Sequence, residues 1–119
     1  MSQKIKQYTK LVNDIFDYRT PFELHVAKRY PRAHFAVFDV NAFIADIYYN
    51  PTKYLAAPAN VAGVYHVCDV SGSPCKDSDL PLDHFLWYDE LHPSAKADEI
   101  IAKEFIAVVK GKSKFAKYW

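Results

Sequence analysis

The sequence predicts an α/β protein, on three observations. Its first fifty residues read helix, strand, helix, an order typical of α/β layering. The strand, His34-Phe-Ala-Val-Phe-Asp39-Val40, is rich in Phe and Val and apolar on both faces apart from its ends. That pattern suits a buried strand of a parallel sheet. An amphipathic helix then closes the chain after Pro93. Half of the 119 residues are hydrophobic and 24% are charged, a balance that fits a globular chain and argues against disorder. We expect a single domain over residues 1–119. A chain of this size buries roughly two-thirds of its unfolded surface.

The elements follow in order. Ile5, Tyr8, Val12, Ile15 and Phe16 recur at steps of three and four, which predicts a helix over residues 4–19. Thr20-Pro21-Phe22-Glu23 has the form of a new helix start, with Thr20 as cap and Glu23 reaching back. A second helix, or a kinked continuation, runs to about Arg29, and Pro31 stops it. After the strand, Asn41 caps a helix from Ala42 to about Tyr49, ended by Asn50-Pro51. Asp39, at the strand's end, sits where α/β proteins place functional groups; a cap on the next helix is the preferred reading. Residues 51–84 read as a long irregular segment holding Gly63, Gly72 and both cysteines, and such loops are often functional. Phe85-Leu-Trp-Tyr88 is a short apolar run. Pro93 opens the last helix, to about Lys110, with Ala97, Ile101, Phe105 and Val108 on one face and Gly111 as its stop.

Several function classes fall away. The formal charge is +1, and the mildly basic tail (Lys110, Lys112, Lys114, Lys117) reads as solvated, so nucleic acid is not an expected partner. No run approaches the ~20 apolar residues that span a bilayer. The first residues are polar and lack the apolar centre of a secretory signal. Cys68 and Cys75 flank a turn-rich segment. A disulfide there is geometrically feasible and would contribute about 2–3 kcal/mol in an oxidising compartment. Two reduced thiols are the alternative. A zinc site on His66, Cys68 and Cys75 lacks a clear fourth ligand.

The stretch Phe85-Leu-Trp-Tyr-Asp89-Glu-Leu-His92-Pro-Ser94 carries the chemistry. A carboxylate three residues before an imidazole can bond one ring nitrogen in a tight turn. The other nitrogen is then available to take a proton from a serine hydroxyl and return it to a leaving alcohol. By itself the pair is more readily a surface pair or a helix-entry cap. Its surroundings shift the weight. Trp-Tyr-Asp-Glu-Leu-His-Pro-Ser before an amphipathic helix resembles the last block of the GDSL/SGNH hydrolases. Tyr30-Pro31, Phe35 to Asn41, Asn50-Pro-Thr-Lys-Tyr54, Cys68 and Cys75 recur in similar order in fungal members, which include lipase/acylhydrolase-like and carbohydrate-esterase-like proteins. The likeness covers residues 7–119.

The resemblance implies that Asp89 is the triad acid and His92 the general base, with no cofactor and no metal, and an acyl or acetyl ester of a carbohydrate or lipid as substrate. The family's nucleophile stands in Gly-Asp-Ser, which this sequence lacks. Its serines are Ser2, Ser71, Ser73, Ser78, Ser94 and Ser113. Ser94 belongs to the family's His-Pro-Ser/Thr pattern and is not the nucleophile there. The oxyanion-hole glycine and the Gly-x-Asn-Asp block are also missing; Asn13-Asp14 follows Val12 on a predicted helix and reads as coincidence. The implied fold is therefore a partial three-layer, flavodoxin-like SGNH domain with an incomplete parallel sheet, matching the C-terminal part of that domain. Such a piece leaves sheet edges and apolar helix faces uncovered. We expect it to be inactive alone and to self-associate or depend on a complementing N-terminal segment. Family members are often secreted, so the compartment stays open. Two other readings remain: a non-catalytic interaction or oligomerisation module using the aromatic-rich residues 54–88, and a metal-binding domain using His66, Cys68, Cys75 and His84. His25 and His34 read as surface residues.

Overall fold

The computed structural model describes residues 3–69 and 71–119. It contains helices and small sheets, and the chain divides into two compact units. The first comprises the N-terminal residues up to Phe38 together with Ala116–Trp119; the second is Asp39–Phe115.

In the first unit, helix α1 spans Gln3–Pro21 and passes directly into a π-helical turn, Phe22–Val26. Thr20-Pro21 does not begin a new helix; the continuation alternative holds. Pro21 supplies no amide to the ladder. Immediately after it the hydrogen bonding widens, with the Ala27 amide donating to the Phe22 carbonyl at 2.9 Å. Lys28, at φ 51°, ends the helical run ahead of Pro31. Strand β1 is only Ala36–Phe38 and pairs antiparallel with β6, Ala116–Tyr118. Phe35 and Trp119 exchange backbone bonds at 3.1 and 2.9 Å and extend this ribbon. One expectation is corrected here. The strand is half-exposed and antiparallel rather than buried in a parallel sheet. Ala116–Tyr118 forms a strand that was not expected, while Lys110, Lys112, Lys114 and Lys117 are exposed as expected. The aromatic content of Phe115-Ala-Lys-Tyr-Trp119 was the available signal.

The second unit holds the core. Asp39 caps helix α2, Val40–Tyr49, by accepting the Ala42 amide at 2.8 Å, so Asp39 rather than Asn41 is the cap. α2 buries Phe43 and Ile47. Asn50 closes it, its amide donating to the Asp46 carbonyl at 2.9 Å and its side chain to the Asp46 carboxylate at 3.1 Å. A 3-10 turn, Pro51–Lys53, follows. Residues 51–84, expected to be irregular, contain three strands: β2 (Asn60–Val64), β3 (His66–Cys68) and β4 (Cys75–Asp77). β2 runs parallel to β5, Phe85–Trp87, with an irregularity between Asn60 and Val64. β3 and β4 form an antiparallel hairpin in which Cys68 faces Cys75.

Helix α3 is Ala95–Val109. Ser94 caps it, and Pro93 lies before that cap. At its end Gly111 adopts φ 69°, and the Lys112 amide reaches the Ala107 carbonyl at 2.9 Å, the glycine-terminated closure that needs a left-handed residue. α3 buries Ala97, Ile100 and Val108. Phe105, expected on that face, is exposed, because the core-facing stripe is rotated by about one residue. Phe43, Ile47, Leu55, Phe85, Leu86, Ala97, Ile100 and Val108 are the buried apolar residues. Phe43 meets Tyr54 edge-on and Phe115 at ring distances of 5.8 and 5.0 Å. Among the described residues, no helix is long and apolar enough to cross a membrane.

Candidate active site

The Asp89–His92 loop hangs from the end of β5. The Tyr88 amide donates to the His92 carbonyl at 2.9 Å, and Trp87 bridges Pro93 across the loop's neck. The neighbouring segment braces it: the Tyr65 amide donates to the Trp87 carbonyl at 3.1 Å and the His66 amide to the Tyr88 carbonyl at 2.6 Å. The His66 ring lies parallel on Tyr88 at 5.2 Å.

Within this frame, Asp89 folds back on its own loop. One carboxylate oxygen accepts the Leu91 and His92 amides at 2.8 and 2.7 Å. Both oxygens face Nδ1 of His92, at 3.0 and 2.9 Å. Aspartate makes this turn readily because its side chain reaches amides two and three residues on. The hydrogen bond from His92 holds the Asp89 carboxyl down at about 2, helped by the two amides. The carboxylate is therefore ionised across ordinary pH and fixes Nδ1 as the protonated nitrogen. Nε2 is left as the free acceptor. The Asp89 side chain is 24% exposed and that of His92 65%, so the acid is sheltered while the imidazole projects outward. An acid-oriented imidazole of this kind can accept a proton from a hydroxyl and return it.

The capping alternative is settled by geometry. Asp89 serves its own loop, and α3 is capped by Ser94. The Ser94 hydroxyl accepts the Ala97 amide at 3.0 Å and donates to the Phe85 carbonyl at 2.6 Å, while its own amide donates to the Leu86 carbonyl at 2.9 Å. Ser94 is fully buried. It anchors the loop's far end to β5. Other serines have local duties: the Ser71 hydroxyl shares its one proton between Asp69 and the Ser73 carbonyl, and that of Ser113 donates to Glu104. Asn13 and Asp14 lie on α1, with Asp14 bonded to Lys10.

The metal alternative is corrected. His66, Cys68 and Cys75 do converge, with ligand atoms within 4.8 Å of one another. The two sulfurs, however, are joined in a disulfide, and a cysteine ligates zinc only as a free thiolate. The His66 ring is held between Asp77, at 2.6 Å from Nδ1, and the Cys68 sulfur, at 3.4 Å from Nε2. His84 contacts the Pro58 carbonyl at 3.1 Å.

Two arrangements were not read from the sequence. One is the bracing of Tyr88 by His66. The other is a polar cluster on α2, in which the Tyr54 hydroxyl donates to Asp46 at 2.5 Å. Burial, then this bond, pushes the Tyr54 phenol up to about 12. The same bond lowers the Asp46 carboxyl. The spacing of Asp46, Asn50 and Tyr54 by fours was the only signal for it.

No family model matches the chain. Over 118 residues, 99% of its length, it is 47% identical to an acetylesterase of the fungus Hypocrea jecorina. The chain spans about a third (34%) of that relative's length.

Proposed function

We propose that these residues supply the acid–base half of a serine ester hydrolase of the GDSL/SGNH type, acting on acetyl or other acyl esters. The observation that carries this reading is the Asp89–His92 pair, which presents Nε2 outward from a loop stapled at both ends. The relative's name supports an acetyl ester as the substrate class. Neither the sequence nor the described serines provide a Gly-Asp-Ser nucleophile. We place that serine, with the oxyanion donors, on a complementing segment equivalent to the part of the acetylesterase outside the matched region. In this reading residues 1–119 are the C-terminal portion of a three-layer SGNH domain.

In the assembled site, Nε2 of His92 takes the serine proton as the serine oxygen attacks the ester carbonyl. The resulting imidazolium is stabilised by the Asp89 carboxylate. It then protonates the departing alkoxide, leaving an acyl-enzyme that water cleaves by the same proton path. Without the complementing donors the chain also lacks about 3–4 kcal/mol of transition-state stabilisation for each missing oxyanion contact.

The test is complementation. The 119-residue chain is mixed with the remaining two-thirds of the Hypocrea acetylesterase, and hydrolysis of p-nitrophenyl acetate is followed. The chain alone is expected to be inactive and unlabelled by a fluorophosphonate. The mixture is expected to hydrolyse the ester, and His92→Ala to abolish this. Hydrolysis indifferent to His92→Ala would remove the assignment. Labelling of the isolated chain that depends on His92 would instead place a nucleophile within it.

A further inference from the structure

α1 contributes nothing to a core: it has no buried residue. Ile5, Tyr8, Val12 and Ile15 follow one another at steps of three, four and three, and Arg19 and Phe22 continue the series. The apolar members are each between 48% and 66% exposed. A continuous exposed stripe of this kind marks an interaction surface. Its seven-residue repeat fits a second helix lying alongside, since only a helix presents knobs and holes at that spacing.

Charge identifies the partner. The first half of α1 carries Lys4, Lys6 and Lys10. The second half and the turn after it carry Asp14, Asp17 and Glu23, with Arg19 the one cation among them and Glu23 paired to Arg19 and to Arg29 beyond the turn. Two parallel copies would set like charges side by side. Two antiparallel copies set the basic half of each against the acidic half of the other, which is the self-complementarity a two-fold interface requires. With Val12 of one copy facing Ile15 of the other, Ile5 meets Phe22 and the Tyr8 ring meets the Arg19 guanidinium, a favourable cation–aromatic pairing. The existing pairs Lys10–Asp14 and Lys117–Asp17 have strongly exposed lysines and are of the weak, readily exchanged kind.

We propose that α1 is the seam of an antiparallel homodimer of this chain. The proposal is independent of the esterase reading, because it concerns the first unit and its readout is mass rather than hydrolysis. Sedimentation of the full chain across micromolar concentrations should give twice the 13.7 kDa protomer mass. Ile15→Asp should yield a monomer with unchanged far-UV circular dichroism, since Ile15 is already half-exposed in the single chain. K4E/K6E and D14K/D17K should each raise the dimer dissociation constant at least tenfold at low salt, and an equimolar mixture of the two should restore association. A wild-type chain that stays monomeric overturns the proposal. So does a dimer insensitive to either charge variant, which would be parallel or joined elsewhere. A monomer that captures the remaining acetylesterase segment through α1, and loses it on Ile15→Asp, would assign this face to that segment instead.

Discussion

Ser94→Ala is the sharpest test of how the loop is held. Ser94 sits two residues after His92, fully buried, with its hydroxyl engaged twice. Alanine has nearly the same volume, so the cavity term is small and the loss is polar. Removing an N-cap costs about 1 kcal/mol. The Phe85 carbonyl, at 2.6 Å from the hydroxyl, also loses its donor inside the core, which adds about 1–2 kcal/mol. The sum is about 2–3 kcal/mol, a large share of the roughly 5–15 kcal/mol typical of a domain. Urea unfolding followed by tryptophan fluorescence measures it, with Trp87 on the adjoining strand as reporter. At a slope of about 1.5 kcal/mol per molar the midpoint should fall by about 1–2 M. Ser73→Ala, at an exposed position, should shift it by less than about 0.5 kcal/mol. A Ser94→Ala midpoint within that control range would refute the anchoring argument. An unchanged midpoint with loss of fluorophosphonate labelling would show Ser94 to be a nucleophile, contrary to our reading.

Other consequences are equally direct. In the complemented enzyme, Asp89→Asn should lower turnover by ~10²–10⁴-fold, because the imidazole loses its orienting charge. The Asp89 carboxyl lies at about 2 when folded, against about 4 in an unfolded chain. Its stabilisation is therefore complete above about pH 4 and lost as the pH falls toward 2, and Asp89→Asn should flatten acid unfolding over that window. Tyr54 behaves in the opposite sense. With its phenol raised to about 12, its contribution is complete below about pH 10 and lost as the pH rises through 12; ultraviolet titration should find one late phenolate, absent in Tyr54→Phe. Reducing the Cys68–Cys75 bond should cost about 2–3 kcal/mol by the loop-entropy argument, so an unchanged unfolding midpoint in dithiothreitol would count against the disulfide's presence in solution.

How much could be read in advance depended on range along the chain. Asp89 and His92 are three residues apart, and their meeting needs only a tight turn and an aspartate that reaches its own loop amides. The helices announced themselves through periodicity, the α3 terminus through Gly111. Errors entered where a residue's partner is distant. β6 was missed because it becomes a strand only by pairing with β1, from the far part of the sequence. β2 to β4 were missed because each is short and one is bulged, so alternation within any one of them is weak. The choice of Ile100 over Phe105 for the core was likewise out of reach, since it depends on how α3 rolls against β5.

By itself, then, the sequence put a carboxylate and an imidazole within one turn of each other and located the helices to within a few residues, because those follow from bonds between near neighbours. Tertiary structure alone decided which strands pair, that the two sulfurs close a hairpin instead of holding a metal, and that His66 steadies Tyr88 beneath the dyad. Those outcomes turn on which surfaces meet in space, and burial energy selects among many pairings that local patterns leave equally open.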